Sequence, residues 1–176
     1  KLAPVALENA FLKLFSKEEI GFGQNMLAFE VAKEYLGKFI DWDSEEIKSL
    51  AGDRGPGAGY KILEIEKKLS LEIGDGIVLK GICDRIDQIG DQVRIIDYKT
   101  GKVENKELKV EEVGEVFEDV QKAKSLQLLV YALLYQPHLK GATSLLSGIY
   151  SFRNSSEGLK SVEVNKQVKL NQEILI

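Results

Sequence analysis

Asp84, Asp97 and Lys99 are the residues of this chain with the plainest chemical use. Two carboxylates side by side hold a hard divalent cation, and a lysine next to them can position water or offset charge developing on a phosphoryl group. Whether the three can meet depends on the chain between them. Ile77 to Asp87 and Gln92 to Tyr98 have β-like composition and flank Gly90-Asp91. With Gly90 and Asp91 as the central residues of a tight hairpin, Ile89 faces Gln92, Ile86 faces Ile95 and Asp84 faces Asp97. Gly in the first central position suits a type II′ turn, or a type I′ turn whose Asp tolerates positive φ. Side chains alternate along a strand, so Lys99 shares a face with Asp97.

A second hairpin extends the row. Tyr60 to Ile73 also reads as a strand, and Gly74-Asp75-Gly76 separates it from Ile77. If those three residues form the loop, Glu66 faces Asp84, and Lys68 lies one step further along the same face. Glu66 has two readings, a third metal ligand or a surface acid, because a bulge in the loop would shift its register. Lys68 reads as solvated. Carboxylates about 5 Å apart repel by about 3 kcal/mol at an effective dielectric near 20. One acid must then stay protonated, or a cation must fill the gap. Oxygen ligands favour Mg²⁺ or Mn²⁺ over zinc or copper. Asp87 facing Arg94 reads as a plain cross-strand ion pair worth little. Cys83 alternates away from the acids and reads as core.

The surrounding elements follow from periodicity. Leu27, Ala28, Val31, Ala32, Tyr35, Leu36 and Phe39 recur at helical spacing, which predicts a helix over Gln24 to Ile40. Ser44 with Glu45 and Glu46 predicts the N-cap of a separate short helix. Gly52 to Gly59 is a loop; it lacks the Lys-Ser/Thr ending of a phosphate loop. Thr100 to Glu118 is polar and acidic, with few core candidates, and reads as a loop or irregular crossover. Asp119 to Gln136 predicts a helix that Pro137 stops. Ser144 to Phe152 and Leu159 to Val168 predict strands around the turn at Asn154 to Gly158. The expected fold is α/β (α+β by some conventions), a central mixed sheet flanked by helices. A single domain over 1–176 is expected: a helical lead-in and loop over 1–59, the β-meander over 60–99, the helix over 119–136 and further strands over 144–168.

The whole chain limits the options. Its 176 residues are 44% hydrophobic and 30% charged, as in an ordinary globular domain. No apolar run approaches the roughly 20 residues of a membrane span, and no signal-peptide pattern opens the chain. One cysteine excludes an internal disulfide, a four-cysteine zinc site and an iron–sulfur cluster built from this chain alone, and points to a reducing cytoplasm. The net charge of −4 argues mildly against nucleic acid, although charge distribution outweighs the sum. The missing initiator Met and strand-like end suggest a piece of a longer protein.

Gly81-Ile-Cys-Asp84-Arg-Ile-Asp87, a short hairpin, and then Ile95-Ile-Asp97-Tyr-Lys99-Thr-Gly101 resemble the core motif of RecB/AddB-type nucleases of the PD-(D/E)XK superfamily, whose fold is restriction-endonuclease-like. Gln127-Leu-Leu-Val-Tyr131 is similar to that family's Gln-xxx-Tyr helix motif. The resemblance covers about Glu64 to Tyr135. It implies that Asp84 and Asp97 are metal ligands, with the Tyr98 backbone carbonyl a possible third. It implies Lys99 as the catalytic lysine, and places Gln127 and Tyr131 near the active site and DNA. Glu66 is added from register, in line with the family's frequent glutamate on that strand.

The implied activity is Mg²⁺-dependent exonuclease hydrolysis of DNA phosphodiesters. Its context would be recombination and double-strand-break repair, with a helicase domain or subunit as partner. One feature departs from the pattern. Related nucleases often carry a metal-binding His on a helix upstream of the first Asp, whereas His138 is the only histidine here and reads as a surface residue. The ligand set is altered, the His lies on a segment outside this sequence, or activity is weakened. The competing reading is therefore a catalytically inactive nuclease-fold module that binds DNA or a partner subunit.

Overall fold

The computed structural model describes residues 2–51, 59–139 and 144–170. The chain divides into two compact units, residues 1–46 and 47–176. In the first, α1 (Ala3–Leu12) and α2 (Lys17–Ile20) precede the long helix α3 (Gly23–Ala51). Ser16 opens α2 with a reciprocal cap. Its Oγ accepts from the Glu19 N–H at 3.2 Å, and Glu19 Oε2 accepts from the Ser16 N–H at 2.8 Å. The Phe11 ring of α1 meets the Phe29 ring of α3 edge-on, with centroids 4.9 Å apart.

The separate helix expected at Ser44 does not form, because α3 runs unbroken through it. No Gly or Pro lies between Asp41 and Ile47 to stop the helix. A serine inside a helix costs only about half a kcal/mol relative to Ala, less than ending one helix and nucleating another. Although long, α3 is charged; among the described residues no helix is long and apolar enough to cross a membrane. Of the expected Gly52–Gly59 loop, residues 52–58 lie outside the described residues.

The second unit is a mixed α/β assembly around a five-stranded sheet. Its strands are β1 (Tyr60–Gly74), β2 (Ile77–Ile89), β3 (Gln92–Lys99), β5 (Ser144–Ser151) and β6 (Leu159–Ser161), in the order β1-β2-β3-β5-β6. Only the β3–β5 pair is parallel. A parallel pair needs a crossover, supplied here by α4 (Glu115–Glu118) and α5 (Ala123–Tyr135). Helix α5 packs across β1, β2, β3 and β5. Leu128, Ala132 and Leu134 of the helix and Ile86, Ile95 and Ile149 of the sheet are almost wholly buried. Each such leucine or isoleucine contributes about 1.5–3 kcal/mol by burial.

The second hairpin has the predicted register. Ile89 pairs with Gln92, Asp87 with Arg94 and Ile86 with Ile95. The first differs at its tip. Gly74 pairs with Ile77, so Asp75 (φ 50°) and Gly76 (φ 76°) are the two central residues, in the positive-φ conformations of a type I′ turn. A register shift between Glu72 and Gly74 absorbs the extra residue, and the expected register then holds from Glu72–Val78 to Glu64–Ile86, beyond which a second shift between Ile62 and Glu64 displaces it by one.

Two further expectations are corrected. The stretch Thr100 to Glu118 is not poor in core residues: Val103, Leu108, Val110 and Val116 are all buried. They are brought there by a 3-10 turn (Asn105–Glu107), by α4, and by β4 (Lys109–Val110) pairing in parallel with β7 (Glu163–Val164). Their irregular spacing hides them from any periodicity argument. The strand expected over Leu159–Val168 is divided, with β6 in the main sheet and β7 in the small one.

Candidate active site

The pairing of β2 with β3 is followed in register to Arg85–Ile96. Beyond it the Asp84 carboxylate takes over a backbone role: its Oδ2 accepts from the Tyr98 N–H at 2.7 Å. Asp84 thus sits where register predicts, opposite the Asp97–Tyr98 segment, and is fastened to it. On the other side of β3, the Lys99 C=O accepts from the Phe152 N–H at 2.9 Å. Backbone groups alternate along a strand, so the Tyr98 carbonyl is directed to the Asp84 side.

Asp97 is only 2% exposed. Its Oδ2 has no hydrogen bond of good geometry, yet Lys99 Nζ lies 2.9 Å from it. Burial pushes the Asp97 carboxyl above its usual range; Lys99 opposes the shift and the Asp84 charge adds to it. Cys83 is wholly buried, and its thiol is pushed up to about 12 by burial and then by the Asp84 and Asp97 charges. That thiol is a core group, as expected, and an inert one.

Tyr131 overhangs this corner from α5. Gln127 Nε2 donates to its hydroxyl at 2.7 Å, the i to i+4 contact that the helical spacing predicts. Burial raises the Tyr131 hydroxyl pKa; the Gln127 hydrogen bond opposes this and the charges of Asp97 and Asp84 add to it. Tyr131 thus packs in the core and lies within reach of the acids' charge at once. Gly81 explains the approach. A Cβ at that position would lie 2.8 Å from Tyr131 Cε1 and 3.0 Å from Leu134 Cδ1. The glycine that begins the Gly-xx-Asp string therefore makes room for the helix that carries Gln127 and Tyr131.

Glu66 does not join the pair. It is exposed, and its backbone has φ 50°, rare for a residue with a side chain, so the strand is locally twisted where regular pleating would have aimed it at Asp84. Among the described residues no group of three His, Cys, Asp or Glu side chains is arranged to hold a metal. Lys68 and His138 are exposed, as expected. The cross-strand pair of Asp87 with Arg94 forms as expected, but it is neither plain nor exposed. Asp87 is fully buried, its Oδ1 accepting from Arg94 Nε at 2.8 Å and its Oδ2 from Arg85 Nε at 2.9 Å and Arg94 Nη2 at 3.0 Å.

The sequence reading missed Asn154, which braces the loop after Lys99. Asn154 Nδ2 donates to the Val103 C=O at 3.1 Å and to Glu157 Oε1 at 2.8 Å. Ser151, paired with Lys99 in the sheet, donates from Oγ to the Gly101 C=O at 2.8 Å. Only the turn composition around Asn154 was visible in sequence; nothing tied it to residues some fifty positions earlier.

These features are a β-meander presenting two acids and a lysine beside a helix that carries Gln and Tyr. A family model described as the PD-(D/E)XK nuclease superfamily matches residues 4–174. The chain belongs to that superfamily, whose members generally use divalent metal ions. It is also 32% identical over 155 residues to an ATP-dependent helicase/deoxyribonuclease subunit of Alkaliphilus oremlandii (strain OhILAs), an alignment covering 79% of this chain. The chain spans only 12% of that relative's length. No solved structure matches it.

The residues fit a hard divalent cation. Asp97 supplies a buried oxygen without a hydrogen bond, the Asp84 carboxylate stands across from it, and the Tyr98 carbonyl is turned the same way. A cation here would relieve the desolvation that raises the Asp97 pKa.

Proposed function

We propose that this chain is the nuclease domain of a RecB/AddB-like, Mg²⁺-dependent DNA exonuclease acting in recombination and double-strand-break repair. Its setting would be the cytoplasm and its partner a helicase domain or subunit. The observation that carries this reading is the Asp97 carboxylate, held almost dry, without a hydrogen bond on Oδ2, and within reach of Lys99. Asp84, Asp97 and the Tyr98 carbonyl would hold Mg²⁺ or Mn²⁺. The ion, when bound, polarises a phosphoryl oxygen and lowers the pKa of water. Lys99 orients the attacking water and offsets the charge that grows on the phosphoryl oxygens. Water adds to phosphorus, the P–O bond to the leaving sugar breaks, and the proton lost from water balances the one taken up by the leaving oxygen. Gln127 and Tyr131 line the approach for DNA. Both compact units would belong to this one nuclease domain, since the family match extends over residues 4–174. The helicase partner is inferred from the name of the Alkaliphilus protein.

A second reading is favoured by two observations. The described residues bring two acids together rather than three, and the one histidine is exposed. On that reading the chain is an inactive module that binds DNA or a partner subunit. Labelled linear DNA incubated with the full-length protein and Mg²⁺ or Mn²⁺ separates the two. The nuclease reading expects terminal nucleotides to be released, closed circular DNA to be spared, and Asp97→Ala or Lys99→Ala to reduce cleavage at least about a hundredfold. Cleavage that persists in both variants removes these residues from the mechanism. Binding without any cleavage by the unaltered protein establishes the second reading.

A further inference from the structure

Gln127 and Tyr131 do not end the polar stripe on α5. Tyr135 lies four residues further on, on the same helix face, and opens onto a cavity of about 370 Å³. Lys61, Glu64 and Lys67 of β1, Gln88 of β2, and Tyr135 and His138 line it. Tyr135 is 6% exposed as a residue, and it lines the cavity. The His138 ring lies against it, with centroids 5.5 Å apart. Glu64 is already matched by Lys67, Nζ to Oε1 at 2.8 Å, which leaves Lys61 as an exposed cation with no ion pair among the described residues. Gln88 Nε2 donates one N–H to the Gly90 C=O at 2.8 Å, so the lining offers an ammonium, a remaining amide N–H, an imidazole and a tyrosine hydroxyl, with its one carboxylate matched by Lys67. This is the donor set for a phosphate group in a chain whose net charge is −4.

Its place in the fold gives the setting. Gln88 pairs with Val93, and both border the cavity. They lie four residues along their strands from Asp84 and Asp97, or roughly 13 Å. That is about four steps of stacked duplex at about 3.4 Å each, or fewer nucleotides of an extended single strand. We propose that this cavity binds the sugar–phosphate backbone of the DNA strand a few nucleotides from the phosphate cut at Asp84 and Asp97. The proposal rests on the nuclease reading for its substrate. It adds a second anchoring point, reached along Tyr131 and Tyr135.

The test is DNA affinity of the full-length protein, measured with a labelled twelve-nucleotide single strand in EDTA so that nothing is cut. Lys61→Glu and Tyr135→Phe are each expected to weaken binding about tenfold. Lys61→Glu should also flatten the salt dependence by about one unit of log–log slope. Tyr135→Phe keeps the buried ring, and thermal melting checks that both variants fold. Lys80→Glu, the same charge change on the exposed β1–β2 arm, is expected to change little. Wild-type affinity in both cavity variants overturns the proposal, as does an equal loss in Lys80→Glu. If the cavity variants bind normally while Asp97→Ala abolishes cleavage, the cavity proposal falls and the nuclease reading stands. If the unaltered protein never cleaves but the cavity variants lose DNA, the reverse holds.

Discussion

The β2–β3 hairpin carries a buried charged cluster on each of its faces, and the two are built on opposite plans. On one face Asp87 is surrounded by guanidinium groups, and both its oxygens accept hydrogen bonds from Arg85 and Arg94. On the other, Asp84 and Asp97 repel each other, and Asp97 Oδ2 has Lys99 Nζ at 2.9 Å without a well-aligned hydrogen bond. Both clusters cost desolvation. The first recovers it within the protein; the second recovers it only in part through Lys99, and the net upward shift of Asp97 leaves room for a further cation. A folded protein retains an arrangement of the second kind where function requires it. The contrast separates scaffold from site more clearly than burial does, since Asp87 and Asp97 are both nearly inaccessible.

The comparison breaks most visibly at Asp87. Replacing it with Ala leaves two guanidiniums buried without their shared acceptor and should destabilise the protein by about 3–5 kcal/mol, read as a drop in the urea midpoint. A loss below about 1 kcal/mol would make the cluster incidental. Next in size is Gly81→Ala, which must displace the Tyr131 ring or the helix. We expect about 1–3 kcal/mol of destabilisation, with cleavage lowered further than the fraction unfolded accounts for. Unchanged activity would mean that the position of Tyr131 is immaterial.

Asp97→Asn sharpens the contrast by reversing its sign. In the absence of metal it should stabilise the protein by about 1 kcal/mol near neutral pH while abolishing cleavage. The Asp97 carboxyl has a raised pKa when folded, so the native state holds its proton longer than the unfolded chain does. Metal-free stability therefore falls as pH rises from about 4, the unfolded value, through the raised folded value. The advantage of Asn is absent below that window and complete above it. Added Mg²⁺ should stabilise the unaltered protein and not the variant. Thermal melts over pH 3–8, with and without Mg²⁺, check both parts, and equal Mg²⁺ stabilisation of the two proteins would place the cation elsewhere.

Local rules reached far in this chain. The Gly90-Asp91 turn fixes the hairpin register as far as Arg85–Ile96, because register follows from turn length, and Asp84 lies just beyond it, bonded to the Tyr98 N–H. The four-residue spacing of Gln127 and Tyr131 sets them on one helix face, where they meet. Glu66 marks where those rules stop. Its pairing was anticipated, but a single positive-φ residue turned it away, and no composition signal announces such a twist.

Other features were invisible until distant segments were packed together. The burial of Asp87 with its arginines, the fit of Gly81 under Tyr131, and the bond from Asn154 to Val103 each join residues with no shared period. Neighbour-to-neighbour sterics write turns, alternation and helix faces directly into the order of residues. Whether a charge ends up dry, or a glycine lies under a ring, is settled only when packing decides which surfaces lose their water.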